Sequence, residues 1–129
     1  MWYTSTKGII MNKKQIEFKK YRLIQSINFN DRKEGYVKIY PNNSFEHEKV
    51  KFEIAYKLKK QGYKVFSECR ISGGRVDLAV ISPKADGYII EVLKTESKER
   101  YEAKLDRYDI NWTLVKVYCK DFDINSWDL

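Results

Sequence analysis

An ionised carboxylate is costly to bury, and this chain sets one inside each of two consecutive apolar runs. The stretch Arg75 to Lys94 reads RVDLAVISPKADGYIIEVLK. Val76 to Ile81 and Tyr88 to Leu93 have the length and composition of strands, and the turn between them, Ser82 to Gly87, carries Pro and Gly. Asp77 is the one acid of the first run and Glu91 the one acid of the second. Side chains alternate along a strand, so Asp77 is expected to share a face with Ala79 and Ile81, and Glu91 with Ile89 and Leu93. Pairing Ile81 with Gly87 sets Asp77 opposite Glu91, whereas a slip of one residue sends them to opposite faces. Opposed carboxylates repel, and a divalent cation between them turns that repulsion into a site. Mg²⁺ suits such a place, because it takes one or two carboxylates, several waters and a substrate phosphate.

The rest of the sequence reads as one domain around this hairpin. Its 129 residues are 43% hydrophobic with 6 Gly and 2 Pro, which fits one packed core and argues against disorder. No apolar run is long enough to span a membrane. The start, MWYTSTKGIIMNKK, lacks the basic-then-apolar order of a secretory signal, and Met11 offers a second start. Cys69 and Cys119 lack metal-ligand spacing and lie in apolar runs, as buried thiols do. A cytoplasmic, intracellular location is therefore expected. The net charge of +7 suits a polyanionic partner such as DNA.

Taken in order, residues 1–43 form an N-terminal extension. Lys13 to Ile24 fits a short basic helix or an edge strand, and residues 27–40 resemble a hairpin turning near Asn30 to Gly35. Basic and aromatic residues interleave at Phe18, Lys19, Lys20, Tyr21 and Arg22, then at Tyr36, Lys38 and Tyr40. That pattern stacks bases in some proteins, but reads first as a lysine-guarded sheet edge. Residues 44–119 form the core. Ser44 caps a helix that runs to Gln61 and stops at Gly62, with Val50, Ile54, Ala55 and Leu58 as its apolar stripe. A strand follows over 63–71, with Val65, Ser67 and Cys69 on one face and Phe66 and Glu68 on the other. Ser72-Gly73-Gly74 turns into the central hairpin. A second helix over 97–108, capped by Thr95 or Ser97, precedes a last strand over 112–119. Residues 120–129 are an acidic-aromatic tail. The expected class is α/β: a mixed sheet flanked by helices, in the order helix, strand, strand, strand, helix, strand.

This order, with acids at those places, resembles the PD-(D/E)XK nuclease superfamily over residues 44–119. The matching pieces are the helix with Glu46 and Glu48, Glu68 on the next strand, RVD with Asp77, and IIEVLK with Glu91 and Lys94. The opening SFEHEKVKFEIAYKLKKQGYKVFSE is similar to small members of that superfamily. The resemblance implies an endonuclease-type hydrolase acting on DNA with Mg²⁺ or Mn²⁺. Asp77, Glu91 and the Val92 carbonyl would hold the ion, Lys94 would orient water or offset charge, and Glu48 would complete the site. Glu46, His47 and Glu68 are secondary candidates, and Lys51, Arg75 and Lys98 would contact nucleic acid.

Val76 stands where the family has proline. Glu91 and Lys94 are one residue further apart than E-x-K spacing, so a β-bulge near Val92 or Leu93 would be needed to bring Lys94 round; otherwise Lys98 or Lys51 supplies the cation. The helix glutamate is open among Glu46, Glu48 and Glu53, with Glu48 preferred beside the apolar stripe. A homodimer would supply the two sites that a double-strand cut needs. Two other functions compete: a nucleic-acid-binding module whose site has decayed, and a protein-protein interaction module working through the tail.

Overall fold

A computed structural model describes residues 2–4, 10–94 and 111–129. Two short strands, β1 (Trp2–Thr4) and β2 (Ile10–Asn12), pair antiparallel ahead of helix α1 (Lys13–Gln25). A 3-10 turn spans Phe29–Asp31, and helix α2 covers Phe45–Lys60. Strands β3 (Lys64–Ile71), β4 (Gly74–Ile81), β5 (Gly87–Leu93) and β6 (Trp112–Tyr118) form one sheet in that spatial order. The β3–β4 and β4–β5 pairs are antiparallel and β5–β6 is parallel, so the sheet is mixed. The expected second helix over 97–108 and Lys98 lie outside the described residues. Among those described, no helix is long and apolar enough to cross a membrane.

Local chemistry explains α2. The Ser44 side chain accepts from the His47 backbone N–H, Glu46 and Glu48 occupy the first turn, and three lysines the last, as the helix dipole favours. Gly62 beyond its end has a φ of 91°, which a side chain disfavours. The predicted stripe Val50, Ile54, Ala55 and Leu58 packs on Val65, Leu78, Val80, Ile90, Val92 and Val117 on one side of the sheet. On the other side Leu23 of α1 and Ile27 pack on Phe66, Cys69, Val76, Ala79, Ile81 and Ile89. The tail is part of the first layer: Phe122, Ile124 and Trp127 pack against it, and Lys57 Nζ donates to the carbonyls of Ile124 and Trp127.

The extension follows the helical one of its two readings and departs from expectation beyond it. Lys13–Gln25 is helical, and its Asn12 and Gln15 form a reciprocal cap. Residues 27–40 make no hairpin. Hydrogen bonds from side chains pin them along β3 instead: Asp31 accepts from the Arg70 backbone and guanidinium, and Ser67 Oγ donates to the Tyr36 carbonyl while accepting the Lys38 N–H.

Alternation also departs from expectation, at two places on one level of the sheet. Glu68 has a φ of 47°, and beyond it Cys69 joins the α1 side with Phe66, leaving Val65 on the α2 side. A non-glycine residue in the left-handed region turns the chain over and resets which face follows. Opposite it in register, Val76 packs on the α1 side and Leu78 on the α2 side, so alternation is also broken at Asp77.

Candidate functional site

The central hairpin has the anticipated register: Ile81 pairs with Gly87 and Leu78 with Ile90. The ladder stops there, one step short of the acids. Asp77 therefore does not share the face of Ala79 and Ile81. Its carboxylate takes over where the backbone pairing ends, with Oδ2 accepting the Val92 N–H at 2.7 Å. The same oxygen lies 3.2 Å from Nε2 of His47 on α2, and Glu91 is near enough to act on the Asp77 pKa. Glu91 is buried; Ile90 and Val92 on either side of it point into the α2 layer, so alternation sets Glu91 toward the α1 side. The two acids do not share one face as expected, Asp77 having turned to His47. Two carboxylates at close range repel unless a proton or a cation stands between them. Burial works to raise the Asp77 pKa, but His47, the Val92 N–H and Glu91 together hold it below the usual carboxylate value.

A second group of charges stands behind this pair. Glu48 binds four partners: Lys51 Nζ at 2.6 Å, Asn43 Nδ2 at 2.8 Å, the Tyr40 N–H at 3.1 Å and His47 Nδ1 at 3.1 Å. Against the effect of burial, these donors bring its pKa down to about 2. Lys51 is wholly inaccessible and its ammonium has three acceptors: Glu48, Glu68 at 3.0 Å and the Lys38 carbonyl at 2.7 Å. An ammonium has three donors, so all are used. Glu68 also takes Arg75 Nε at 3.3 Å, and the guanidinium lies 3.7 Å above the Tyr40 ring. Burial raises the Glu68 pKa, more than Lys51 lowers it. Arg75 keeps about half of its side chain exposed, at 46%.

Asp77, Glu91, Glu48, His47, Glu68, Lys51 and Arg75 thus come together, through direct contacts or a shared partner. Three expectations change. Lys51 has no surface to offer a substrate, which removes it from the nucleic-acid-facing set. The β5–β6 register runs unbroken from Gly87↔Trp112 to Leu93↔Tyr118, so no bulge near Val92 or Leu93 brings Lys94 round, and Lys94 is exposed at the strand end. Glu46 is exposed on the first turn of α2, without the contacts that Glu48 makes. Sequence reasoning missed Tyr40 and Asn43 as partners of Glu48. Only the position of Asn43 just before the helix cap hinted at it.

The donor set can be tested for a cation. Two adjacent carboxyls are present, and Val92 adds a carbonyl. N–H and C=O of one strand residue point to the same neighbour, so the Val92 carbonyl faces β4, as its N–H does. Among the described residues no three His, Cys, Asp or Glu side chains form a metal-ligating group. Two carboxylates with waters suit Mg²⁺ better than a closed protein cage would. An apolar cleft of about 850 Å³, lined by Val37, Ile39, Phe45 and Phe52 among others, opens beside Glu48. Comparison with protein-family models, curated proteins and solved structures gave no match.

Proposed function

We propose that the protein is a metal-dependent nuclease that hydrolyses DNA phosphodiester bonds at a site of PD-(D/E)XK type. The observation that carries this reading is that the β4–β5 ladder ends one step before Asp77 and Glu91, with Asp77 bound to the Val92 N–H beside Glu91 and Glu91 acting on its pKa. Asp77, Glu91 and the Val92 carbonyl would hold Mg²⁺ or Mn²⁺. Such an ion, when bound, lowers the pKa of a coordinated water and relieves charge on the phosphoryl oxygens.

The chain's own groups supply the rest. His47 has both ring nitrogens engaged, by Glu48 and by Asp77, so it acts as a positioning residue that fixes the Asp77 carboxylate and does not itself touch the attacking water. Glu48 fixes the imidazole and is itself fixed by Lys51, Asn43 and Tyr40. Arg75, stacked on Tyr40 and tied to Glu68, presents its remaining donors to a phosphate, and Lys98 joins it in this reading.

The test is cleavage of a panel of DNA structures with Mg²⁺, Mn²⁺ and EDTA. Asp77→Asn and Glu91→Gln should each slow metal-dependent cleavage by about a hundredfold or more, since each 1.36 kcal/mol of barrier is tenfold. The exposed Lys94 and the absent bulge favour a second reading, a nuclease-like module that binds nucleic acid without cutting. Intact DNA in every metal condition, with steeply salt-dependent binding that ignores Mg²⁺, would establish that second reading and end the first.

A further inference from the structure

Helix α1 carries a surface that the candidate site does not use. It buries Ile16 and Leu23 and leaves Phe18 62% and Tyr21 59% exposed. Lys14, Phe18, Tyr21 and Gln25 follow one another at helical spacings of four, three and four, so they line one face. The helix holds five basic residues against the single acid Glu17. Lys20 pairs with Glu17 and Lys19 approaches Asp86, while Lys13, Lys14 and Arg22 make no ion pair among the described residues. The Arg22 guanidinium lies 6.0 Å from the Phe18 ring.

The surface continues past the end of the helix. Phe29 is 79% exposed, and Arg32 lies 5.4 Å from its ring. A cleft of about 470 Å³ runs from Gln25 and Phe29 past Arg32 and Arg70 to Ser72 and Gly73. Both guanidinium groups are anchored on one side. Arg32 donates to the carbonyls of Ile27 and Gln25, and Arg70 to Asp31. A guanidinium has five donors, so each keeps some for an outside acceptor in a fixed orientation.

We propose that this face binds single-stranded DNA, with bases stacked on Phe18, Tyr21 and Phe29 and phosphates held by Lys14, Arg22 and Arg70. Rings interleaved with cations that keep donors free are the elements of a single-strand platform. A duplex keeps its bases stacked on one another and would engage only the cations. A bilayer needs a helix with one continuous apolar face, and in α1 that face is spent on the sheet. Helix α1 is about 20 Å long, room for a few nucleotides at the small end of known single-strand sites. The choice of DNA rests on the nuclease reading; the preference for unpaired bases does not.

The experiment is fluorescence anisotropy of a labelled thymidine 20-mer and a labelled 20-base-pair duplex, in EDTA, across a salt series. Phe18→Ala/Tyr21→Ala should weaken the 20-mer tenfold or more and change the duplex less than threefold. Lys14→Ala/Arg22→Ala should reduce the single-strand salt slope by about 1.4, two phosphate contacts at about 0.7 each. Phe29→Ala lies outside the helix and repeats the stacking test should the double variant melt early. An unchanged 20-mer affinity, an equal loss on the duplex, tighter binding to anionic phospholipid vesicles, or a preference for a uridine RNA 20-mer would each overturn the proposal. The two readings fail separately. Ring-dependent binding without cleavage of any DNA leaves this surface and removes the nuclease. Cleavage with binding indifferent to the rings does the reverse.

Discussion

Replacing Lys51 with methionine removes one charge and keeps most of the volume. The ammonium is inaccessible and contacts two carboxylates and one carbonyl, at 2.6, 3.0 and 2.7 Å. Deleting one member of a buried ionic group typically costs about 3–5 kcal/mol, because its partners stay behind uncompensated. Here Glu48 keeps Asn43, the Tyr40 N–H and His47, and Glu68 keeps Arg75, so the lower end applies, about 3 kcal/mol. Urea unfolding at pH 7 should show that loss as a lower midpoint with an unchanged slope.

The deficit should also depend on pH. Glu48 is held at about 2, below its ordinary 4.5, despite burial, with Lys51 the foremost donor. A depressed acid stabilises the fold above its unfolded value and loses that contribution as pH falls toward the folded one. The wild type should therefore weaken between pH 4.5 and 2, and the gap between it and Lys51→Met should narrow over the same window. A variant as stable as the wild type at pH 7, or a gap that widens in acid, would refute the assignment of Lys51 as the charge holding these acids.

His47 is desolvated, which lowers its pKa, yet Asp77 and then Glu48 raise it above 6.5 overall; its proton NMR titration should show that, and Asp77→Asn should lower the midpoint. A raised histidine stabilises fully below its unfolded value, and the contribution disappears as pH climbs through the folded one. Gly87→Ala would set a Cβ 2.9 Å from Trp112 and 3.0 Å from Leu23, so thermal unfolding should show a loss of about 1–3 kcal/mol. Burial pushes the Cys69 thiol up to about 12, so it should resist alkylation at pH 8 until urea unfolds the chain.

Much of the core was legible in the sequence because its signals are local. The α2 stripe, its serine cap, the Gly62 stop and the hairpin register all follow from spacing and turn chemistry. The misread parts depend on non-local pairing. Nothing in KVFSECRI announces that Glu68 adopts a left-handed φ, and that one torsion moved Cys69 to the other face. Residues 27–40 look like strands, but Asp31 and Ser67 bind them to β3 through side chains, which periodicity does not register. Lys51 read as a nucleic-acid contact, and not as a buried charge, because its three acceptors come from separate parts of the chain.

Ser67 has a consequence beyond the site. As the outermost strand, β3 would otherwise offer a row of open amides and carbonyls to any extended peptide that drifted past. The Ser67 hydroxyl clasps the main chain on both sides of Val37 and, with the Asn28 and Gly35 N–H groups on the Arg70 and Val65 carbonyls, holds a non-repeating segment over that row. The irregular cover gives no matching ladder for a foreign strand to extend, so this border of the sheet is closed to templated growth.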